Sequence, residues 1–90
     1  MYTIFYGSRF KKDYKLIKKR KYNTKKLAET IDILINGKEL PAKFKDHALS
    51  GDYIGYRECH IEPDWLLIYK IEDNNLILIL SRTGTHSDLF

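Results

Sequence analysis

Three histidines and one aspartate are the residues of this sequence best suited to acid–base chemistry. His47, His60 and His86 each stand beside polar residues, and Asp64 follows His60 closely. Imidazole gains and loses a proton near neutral pH, as general acid and base steps require, and a carboxylate can orient an imidazole or accept a proton itself. A lone histidine is more often structural than catalytic, but three near one end of a predicted sheet indicate a catalytic site.

Two arginines and two aromatic residues could hold an anionic substrate beside these groups. Arg82 ends the last predicted strand, where a guanidinium can bind a phosphate through two hydrogen bonds. Arg57 could do likewise or form a structural ion pair. Trp65 and Phe90 are core residues by default, but aromatic faces also stack on the bases of single-stranded RNA. We therefore expect substrate contacts at Trp65, Phe90 and Arg57.

Three other chemistries find little support in the residue spacing. The ligand residues show no H-x₃-H, C-x₂-C or H-E-x-x-H spacing, so a zinc site is the weaker interpretation, and we expect no metal and no cofactor. Cys59 precedes His60, but successive residues of a strand point to opposite faces, so we expect Cys59 in the core rather than as a nucleophile. The glycines stand apart and form no phosphate-binding loop.

The positive charge of the chain is concentrated near its beginning. Ten Lys and Arg stand against two acidic residues up to Thr30, a net charge of +8, whereas the remainder has six against ten, a net charge of −4. Such a segment can neutralise the phosphates of a nucleic acid or meet an acidic protein partner. A solvated helix face is the plain alternative, and charge alone does not choose among the three.

Hydrophobic periodicity predicts a strand, two helices and three further strands. We expect a strand at 3–6, then a basic helix that has Ser8 as its N-cap and is interrupted at 23–24. A second helix should follow and stop at Asn36-Gly37. After a connection at 38–51, we expect strands at 53–60, 65–72 and 76–82. The last three should form an antiparallel meander with a turn at 73–75. The runs 65–69 and 76–80 are almost continuously apolar, so both faces of the sheet should be covered. Two helices cover only one face, so the other should bend around a cleft or meet a partner.

The length and composition favour one domain spanning residues 1–90. Ninety residues with 43% hydrophobic content can fill one small core. A single cysteine excludes an internal disulfide framework and favours a reducing compartment, the cytoplasm. The opening residues lack the pattern of a signal peptide, and no apolar run is long enough to span a membrane.

Three segments and one glycine of this sequence resemble the YafQ branch of the RelE superfamily of bacterial toxins. They are Tyr56-Arg-Glu-Cys-His-Ile-Glu-Pro-Asp-Trp-Leu-Leu-Ile-Tyr-Lys-Ile71, Arg82-Thr-Gly-Thr-His-Ser-Asp-Leu-Phe90, Asp46-His-Ala-Leu49 and Gly51. The resemblance implies an α+β, RelE-like fold, in which an N-terminal strand and two helices pack on a mainly antiparallel twisted sheet. The positions that correspond to the family's functional residues are His47, His60, Asp64, Trp65, Arg82, His86 and Phe90, and each retains the expected residue type.

The resemblance also implies a function, that of the toxin of a type II toxin-antitoxin pair. Such a toxin cleaves mRNA in the ribosomal A site, works without metal, and is neutralised by a tightly bound antitoxin, through which the complex can bind operator DNA. The expected reaction is attack of the ribose 2′-hydroxyl on the adjacent phosphorus, which leaves a 2′,3′-cyclic phosphate.

The predicted roles follow from what that reaction needs. We expect His86 as general acid, His60 with Asp64 on the base side, Arg82 on the phosphate and His47 as a second phosphate or proton-transfer contact. The acid and base roles of His60 and His86 could be interchanged. The basic helices should dock on ribosomal RNA through Lys11, Lys12, Lys15, Lys18, Lys19, Arg20, Lys21, Lys25 and Lys26. The alternative is a non-catalytic inhibitory binding module on the same fold, such as a gyrase poison.

Overall fold

The computed structural model describes all 90 residues and contains the predicted elements in their predicted order, with a short strand and a short helix in addition. The strands are β1 (Thr3–Tyr6), β2 (His47–Ala48), β3 (Arg57–Glu62), β4 (Trp65–Glu72) and β5 (Ile77–Gly84), and the helices are α1 (Ser8–Lys19), α2 (Thr24–Ile35) and α3 (His86–Leu89). None of the helices is both long and apolar enough to cross a membrane. The fold is α+β, as predicted.

The five strands form one sheet in the order β1-β5-β4-β3-β2. The predicted antiparallel meander of β3, β4 and β5 is confirmed, and β1 pairs in parallel with β5 at one edge. The predicted start of the first meander strand at Tyr53 is wrong, because the strand begins at Arg57. Gly51 and Gly55 adopt positive φ angles of 64° and 91°, which an extended strand does not allow, and Tyr53 ends a 3-10 turn instead.

Gly7, not Ser8, is the N-cap of α1. It has an extended conformation and no side-chain cap is present, while Ser8 is already the first helical residue. The Gly7 amide donates a hydrogen bond of 2.9 Å to the carbonyl oxygen of Leu80, and a Cβ atom on Gly7 would lie only 2.9 Å from that same oxygen. The β1–α1 turn therefore needs glycine at position 7 to approach β5 this closely. Gly7 occupies the N-cap position as a result, and the capping role predicted for Ser8 is wrong.

The second helix ends at the predicted stop, but it begins at Thr24, which the sequence analysis placed in the interruption. The Asn23 side chain accepts a hydrogen bond of 3.1 Å from the amide of Lys25 and so caps the N-terminus of α2. At the other end Gly37 adopts a φ of +70°, the left-handed conformation that commonly ends helices.

The two faces of the sheet are covered by different parts of the chain. One face packs on α1 and α2 and forms the main core, which includes Trp65, Leu67 and Tyr69. On the other face, Leu66, Ile68 and Leu89 form a smaller buried cluster, against which Leu49, Tyr53 and Tyr56 pack. The second face is thus partly covered by the chain's own segment 49–56 and by α3, an element that the sequence analysis did not predict.

Candidate active site

The site is built on the sheet face opposite α1 and α2, and the strand register sets its layout. His47 of β2 pairs with Glu58 of β3, Glu58 with Ile68 of β4, and Ile68 with Arg82 of β5. Directly paired residues point to the same face, so this row places Arg82 on the same side as His47, two strands or about 10 Å from Glu58. His60 lies two residues after Glu58 and faces the same side.

The three histidines form a row along this face. The ring centres of His47 and His60 are 6.5 Å apart, those of His60 and His86 are 5.9 Å apart, and Phe90 lies 6.4 Å beyond His86. Phe90 is 64% exposed, so most of this residue is open to solvent. The structure therefore brings together the residues that the sequence marked for acid–base chemistry.

Asp64 holds His86 and not His60, which corrects the pairing predicted from the sequence. One oxygen of the Asp64 carboxylate accepts hydrogen bonds from the backbone amide of His86, at 3.0 Å, and from its Nδ1 atom, at 2.9 Å. These two hydrogen bonds, the backbone one first, lower the pKa of Asp64. Asp64 is accordingly an ionised acceptor that fixes the His86 ring with Nδ1 protonated and Nε2 directed away from Asp64.

Glu58 is a component of the site that sequence reasoning missed. Its side chain is only 6% exposed, and one oxygen lies 3.6 Å from Nε2 of His47 and 3.8 Å from Nε2 of His60. The Nδ1 atoms of the two rings face the backbone carbonyl oxygens of Lys45, at 2.8 Å, and of Pro63, at 3.2 Å. A carbonyl only accepts, so each Nδ1 carries a proton and each Nε2 is the atom that exchanges protons. The sequence signal that could have identified Glu58 is its position two residues before His60 on a predicted strand, which places both side chains on the same face.

A capping box fixes the start of α3, from which His86 projects. The Thr85 side chain accepts a hydrogen bond from the amide of Asp88, and the Asp88 side chain accepts one from the amide of Thr85. Arg20 at the end of α1 adds two hydrogen bonds to the Asp88 carboxylate, at 2.7 and 3.1 Å. Arg20 is therefore engaged in holding α3, which argues against the ribosome contact predicted for it.

Arg82 lies in a largely buried ion pair with Asp13 of α1. Its Nε and Nη2 atoms donate to the two oxygens of Asp13 at 2.7 and 3.1 Å, and the two side chains are 11% and 13% exposed. Asp13 also accepts from the amide of Thr83 at 3.1 Å, beyond the point where β1 stops pairing with β5. The pKa of Arg82 is raised chiefly by the hydrogen bonds to Asp13.

Arg57 is not part of the histidine face. It alternates with Glu58 along β3 and therefore points to the other side of the sheet, where its Nε and Nη2 atoms lie 3.3 Å from the Asp46 carboxylate. The Tyr69 hydroxyl donates to the same carboxylate at 2.7 Å. Of the two roles open to Arg57, the structure shows the structural ion pair, and the substrate contact stays a prediction.

Trp65 is a core residue, so the stacking role predicted for it is wrong. Its side chain is 1% exposed, its indole Nε1 donates to the Thr83 hydroxyl at 2.9 Å, and Tyr22 packs edge-on at 5.0 Å. An RNA base has no access to a ring enclosed in this way. Its neighbour Asp64 lies in the β3–β4 turn, which explains why adjacent residues have such different surroundings.

Cys59 lies in the core, as the sequence predicts. Cys59 is fully buried on the helix side, and burial raises the pKa of its thiol to about 12, so the reactive thiolate does not form near neutral pH. No three His, Cys, Asp or Glu side chains converge in a way that could hold a metal ion.

Most of the basic side chains on α1 and α2 face solvent. Lys26 is the exception among the lysines, because it forms an ion pair of 2.6 Å with Glu62. The exposed lysines without an ion pair are Lys11, Lys12, Lys15, Lys18, Lys19, Lys21 and Lys25. They give the helix side of the molecule a positive surface, away from the face that carries the histidines.

The fold and this residue set define a bacterial toxin of the type II toxin-antitoxin class. The model of the family described as "Bacterial toxin of type II toxin-antitoxin system, YafQ" matches residues 2–90, and the chain belongs to that family.

Characterised relatives are similar over nearly the whole chain. The "mRNA interferase toxin YafQ" of Escherichia coli strain K12 is 48% identical over 88 residues, which cover 97% of this chain and 94% of the relative. The crystal structure of the E. coli DinJ-YafQ complex contains a chain that is 46% identical, with a TM-score of 0.91 and coverage of 100% and 99% of the two chains. A metal-bound toxin from Helicobacter pylori is 40% identical, with a TM-score of 0.94 over the full length of both chains.

Proposed function

We propose that this chain is an endoribonuclease that cleaves mRNA on the ribosome and is the toxin of a type II toxin-antitoxin pair. The observation that carries the proposal is the row of three histidines, in which each ring is held through Nδ1 and two of the three Nε2 atoms lie near a buried carboxylate. A binding module has no need for such a row, whereas acid–base cleavage of RNA does. The site of action is the cytoplasm, where ribosomes translate mRNA.

Cleavage begins with transfer of the 2′-hydroxyl proton to a base. His60 is suited to this step because its Nε2 atom is the free acceptor and Glu58 stabilises the positive charge that the ring gains. Glu58 thus takes the place that the sequence analysis gave to Asp64. His47 shares the same carboxylate and can serve as a second phosphate or proton-transfer contact.

The leaving 5′-oxygen receives its proton from His86. Asp64 binds Nδ1 of that ring, pairs with the imidazolium and leaves Nε2–H to donate to the oxygen. Arg82 contributes positive charge for the phosphorane, and Phe90 stacks on a base next to the cut. The products are a 2′,3′-cyclic phosphate and a free 5′-hydroxyl, and no metal ion takes part in either proton transfer.

Two further surfaces complete the proposed function. The exposed lysines of α1 and α2 dock the toxin on ribosomal RNA, so charge reversal at Lys18, Lys19 and Lys21 should weaken ribosome association most at low salt and make it less dependent on salt. An unchanged sedimentation profile would argue against this dock. The partner is a cognate antitoxin, as DinJ is for the E. coli YafQ, and the complex binds operator DNA through the antitoxin.

The direct test is primer extension on a defined mRNA translated in a purified system, with and without ribosomes. We expect His86→Ala to lower the cleavage rate by about 100-fold or more, because the leaving oxygen loses its acid. Arg82→Ala should also abolish cleavage while ribosome binding is retained. The matched control is Ser87→Ala, which changes an exposed neighbour on the same helix and should cleave normally.

Undiminished cleavage by His86→Ala or Arg82→Ala would remove these residues from the mechanism. If the folded chain produces no cuts in an intact translation system, the function is instead that of an inhibitory binding module, and gyrase is the next target to assay. The toxin is treated with chelator and exchanged into translation buffer beforehand, so that its metal requirement is tested without damage to the ribosomes.

A further inference from the structure

The helix that carries His86 is too short to hold itself in place. α3 has four residues, and an isolated helix of that length is not stable in water. Leu89 anchors its far end in the buried cluster with Leu66 and Ile68, but its first turn needs an anchor of its own. His86 is the first residue of α3, so whatever fixes this turn also fixes the His86 ring.

The Asp88 carboxylate is the anchor of the first turn, and Arg20 holds that carboxylate. One oxygen of Asp88 accepts from the amide of Thr85 at 2.9 Å and from Nη1 of Arg20 at 2.7 Å. The other oxygen accepts from Nη2 of Arg20 at 3.1 Å. A forked guanidinium binds both oxygens of a carboxylate at once, whereas a lysine ammonium acts as a single point charge. Arg20 therefore fixes the rotation as well as the position of the group that caps α3.

The backbone around Arg20 is itself held at this point. Arg20 is the C-cap of α1, and the next residue, Lys21, has a left-handed conformation with a φ of 60°. This conformation costs free energy for any residue other than glycine. The amides of Lys21 and Tyr22 bond back to the last turn of α1, and the Tyr22 ring packs edge-on against Trp65 at 5.0 Å. The main core thus secures the turn that brings Arg20 to Asp88.

α1 holds the same segment of the chain at a second point. Asp13 lies seven positions before Arg20, about two turns along one face of the helix, and it pairs with Arg82 and accepts from the amide of Thr83. α1 thus grips the end of β5 through Asp13 and the start of α3 through Arg20. If the Arg20 contact is lost, the Asp13 contact remains, so α3 should loosen while α1 and the sheet stay folded.

We propose that Arg20 is a positioning residue for His86. It acts through Asp88, which keeps the start of α3 where Asp64 can bind both the amide and the ring of His86. The ring then presents Nε2 to the leaving oxygen in one direction, and a misplacement of about 1 Å can lower a rate about 100-fold. Arg20 thus acts inside the toxin, unlike the exposed lysines of the same helix. The inference deepens the proposed function and rests on it for the effect on cleavage.

The kinetic test compares Arg20→Lys with Arg9→Lys. Arg9 is the matched control, because it is an exposed arginine of the same helix that forms no ion pair. Arg20→Lys keeps the charge but loses the fork. With saturating ribosomes its single-turnover cleavage rate should fall about tenfold, because the acid is less well placed. Its affinity for ribosomes should stay within about twofold, because the charge is retained, and Arg9→Lys should match the wild type in both measurements.

The His86 ring reports the same effect in the free toxin, without RNA. At a pH where the ring is neutral, nitrogen NMR of the wild type should show the proton on Nδ1, the tautomer that Asp64 selects. Arg20→Lys should instead show the mixture of tautomers that an unconstrained imidazole adopts. A double-mutant cycle tests the route, since Arg20→Lys should lower the cleavage rate no further once Asp88→Asn is present.

Wild-type cleavage by Arg20→Lys, an unchanged His86 spectrum, or a full additional loss in the double variant would each overturn the inference. A loss of ribosome affinity with an unchanged rate at saturation would do so as well and would return Arg20 to the ribosomal RNA contacts. If the wild type never cuts mRNA but Arg20→Lys still frees the His86 ring, the proposed function is refuted, while the positioning of His86 by Arg20 stands.

Discussion

On the helix side of the sheet, Trp65, Leu67 and Tyr69 are each at most 1% exposed, whereas on the opposite side the side chains of His47 and His86 are 50% and 56% exposed. The same strands serve both sides, because alternate residues point in opposite directions. The helix side buries apolar surface, while the histidine side leaves polar groups open to solvent and holds them through hydrogen bonds.

The comparison shows how a chain of only 90 residues can hold several polar, partly exposed side chains in fixed positions. The main core lies between the sheet and α1 and α2, so the histidine side does not have to supply most of the stability. Carboxylates fix the groups on the histidine side instead. Asp64 binds the His86 ring and Asp88 caps the start of α3. Glu58 lies between the rings of His47 and His60. Substitutions on the two sides should therefore separate stability from activity.

The largest expected effect on stability is on the helix side. Trp65→Ala should lower the free energy of unfolding by about 3–5 kcal/mol, because a large buried side chain is lost and a cavity remains. Urea denaturation followed by circular dichroism measures this loss. His60→Ala, on the other side, should change stability by about 1 kcal/mol or less while it removes cleavage. If the two variants unfolded at the same urea concentration, the division between the faces would not hold.

The next largest effect on stability should come from the ion pair between Asp13 of α1 and Arg82 of β5, which joins the two sides. Asp13→Asn keeps an acceptor for the Thr83 amide but leaves the Arg82 guanidinium without its counter-charge. We expect a loss of about 2 kcal/mol, smaller than the 3–5 kcal/mol of a fully buried pair, because both side chains keep some contact with water. Thermal unfolding beside the control Asp32→Asn checks this, and a change no greater than that of the control would rule out a stabilising ion pair.

A smaller, pH-dependent effect is expected at α3. The pKa of Asp88 is lowered by hydrogen bonds from Arg20 first and then from Thr85, so it lies below the unfolded value of about 3.9. A lowered folded pKa stabilises the protein above the unfolded value, and the contribution disappears as the pH falls through the folded one. Asp88→Asn should cost about 1 kcal/mol at pH 7 and progressively less below about pH 4.

Urea unfolding at several pH values measures this difference between wild type and variant. Asp52→Asn, which removes an exposed carboxylate that forms no ion pair, is the control and should show no such trend. A difference that stayed constant down to pH 3 would mean that the charge of Asp88 does not hold α3.

The smallest effect should come from Arg57. Its ion pair with Asp46 is long, at 3.3 Å, and its side chain is 42% exposed, so Arg57→Ala should cost less than about 1 kcal/mol. Cleavage of mRNA should stay within about twofold of wild type, because Arg57 lies on the helix side. Single-turnover cleavage with Arg57→Lys in parallel tests this, and a large loss of activity would return Arg57 to the substrate contacts.

The long elements were predictable from the sequence, and the short ones were not. The end of α2 and both ends of β4 follow from apolar patterning and from the stop and turn residues, which act locally. The two residues of β2 and the four of α3 are too short to have a period, and tertiary contacts hold them in place. The start of β3 was misplaced because two glycines with positive φ interrupt a run that has strand composition.

The site was predictable in residue type but not in pairing. The histidines could be selected because few side chains titrate near neutral pH. Their partners depend on the register of the sheet, which places Glu58 opposite His47 and brings Asp13 to Arg82 across 69 positions of sequence. Trp65 shows the same limit, since only the register determines which face of β4 it occupies.

The parallel pairing of β1 with β5 affects when the toxin can first act. Thr3 pairs with Ile77, and the Tyr2 hydroxyl binds Asp73 across 71 positions of sequence. Contacts of such long range form late, and during synthesis they must wait until β5 has left the exit tunnel. Arg82 lies in β5 itself and His86 in α3 just after it, so the site is complete only once both elements have left the tunnel. Until α3 has folded, the Asp64 carboxylate has no His86 ring to orient.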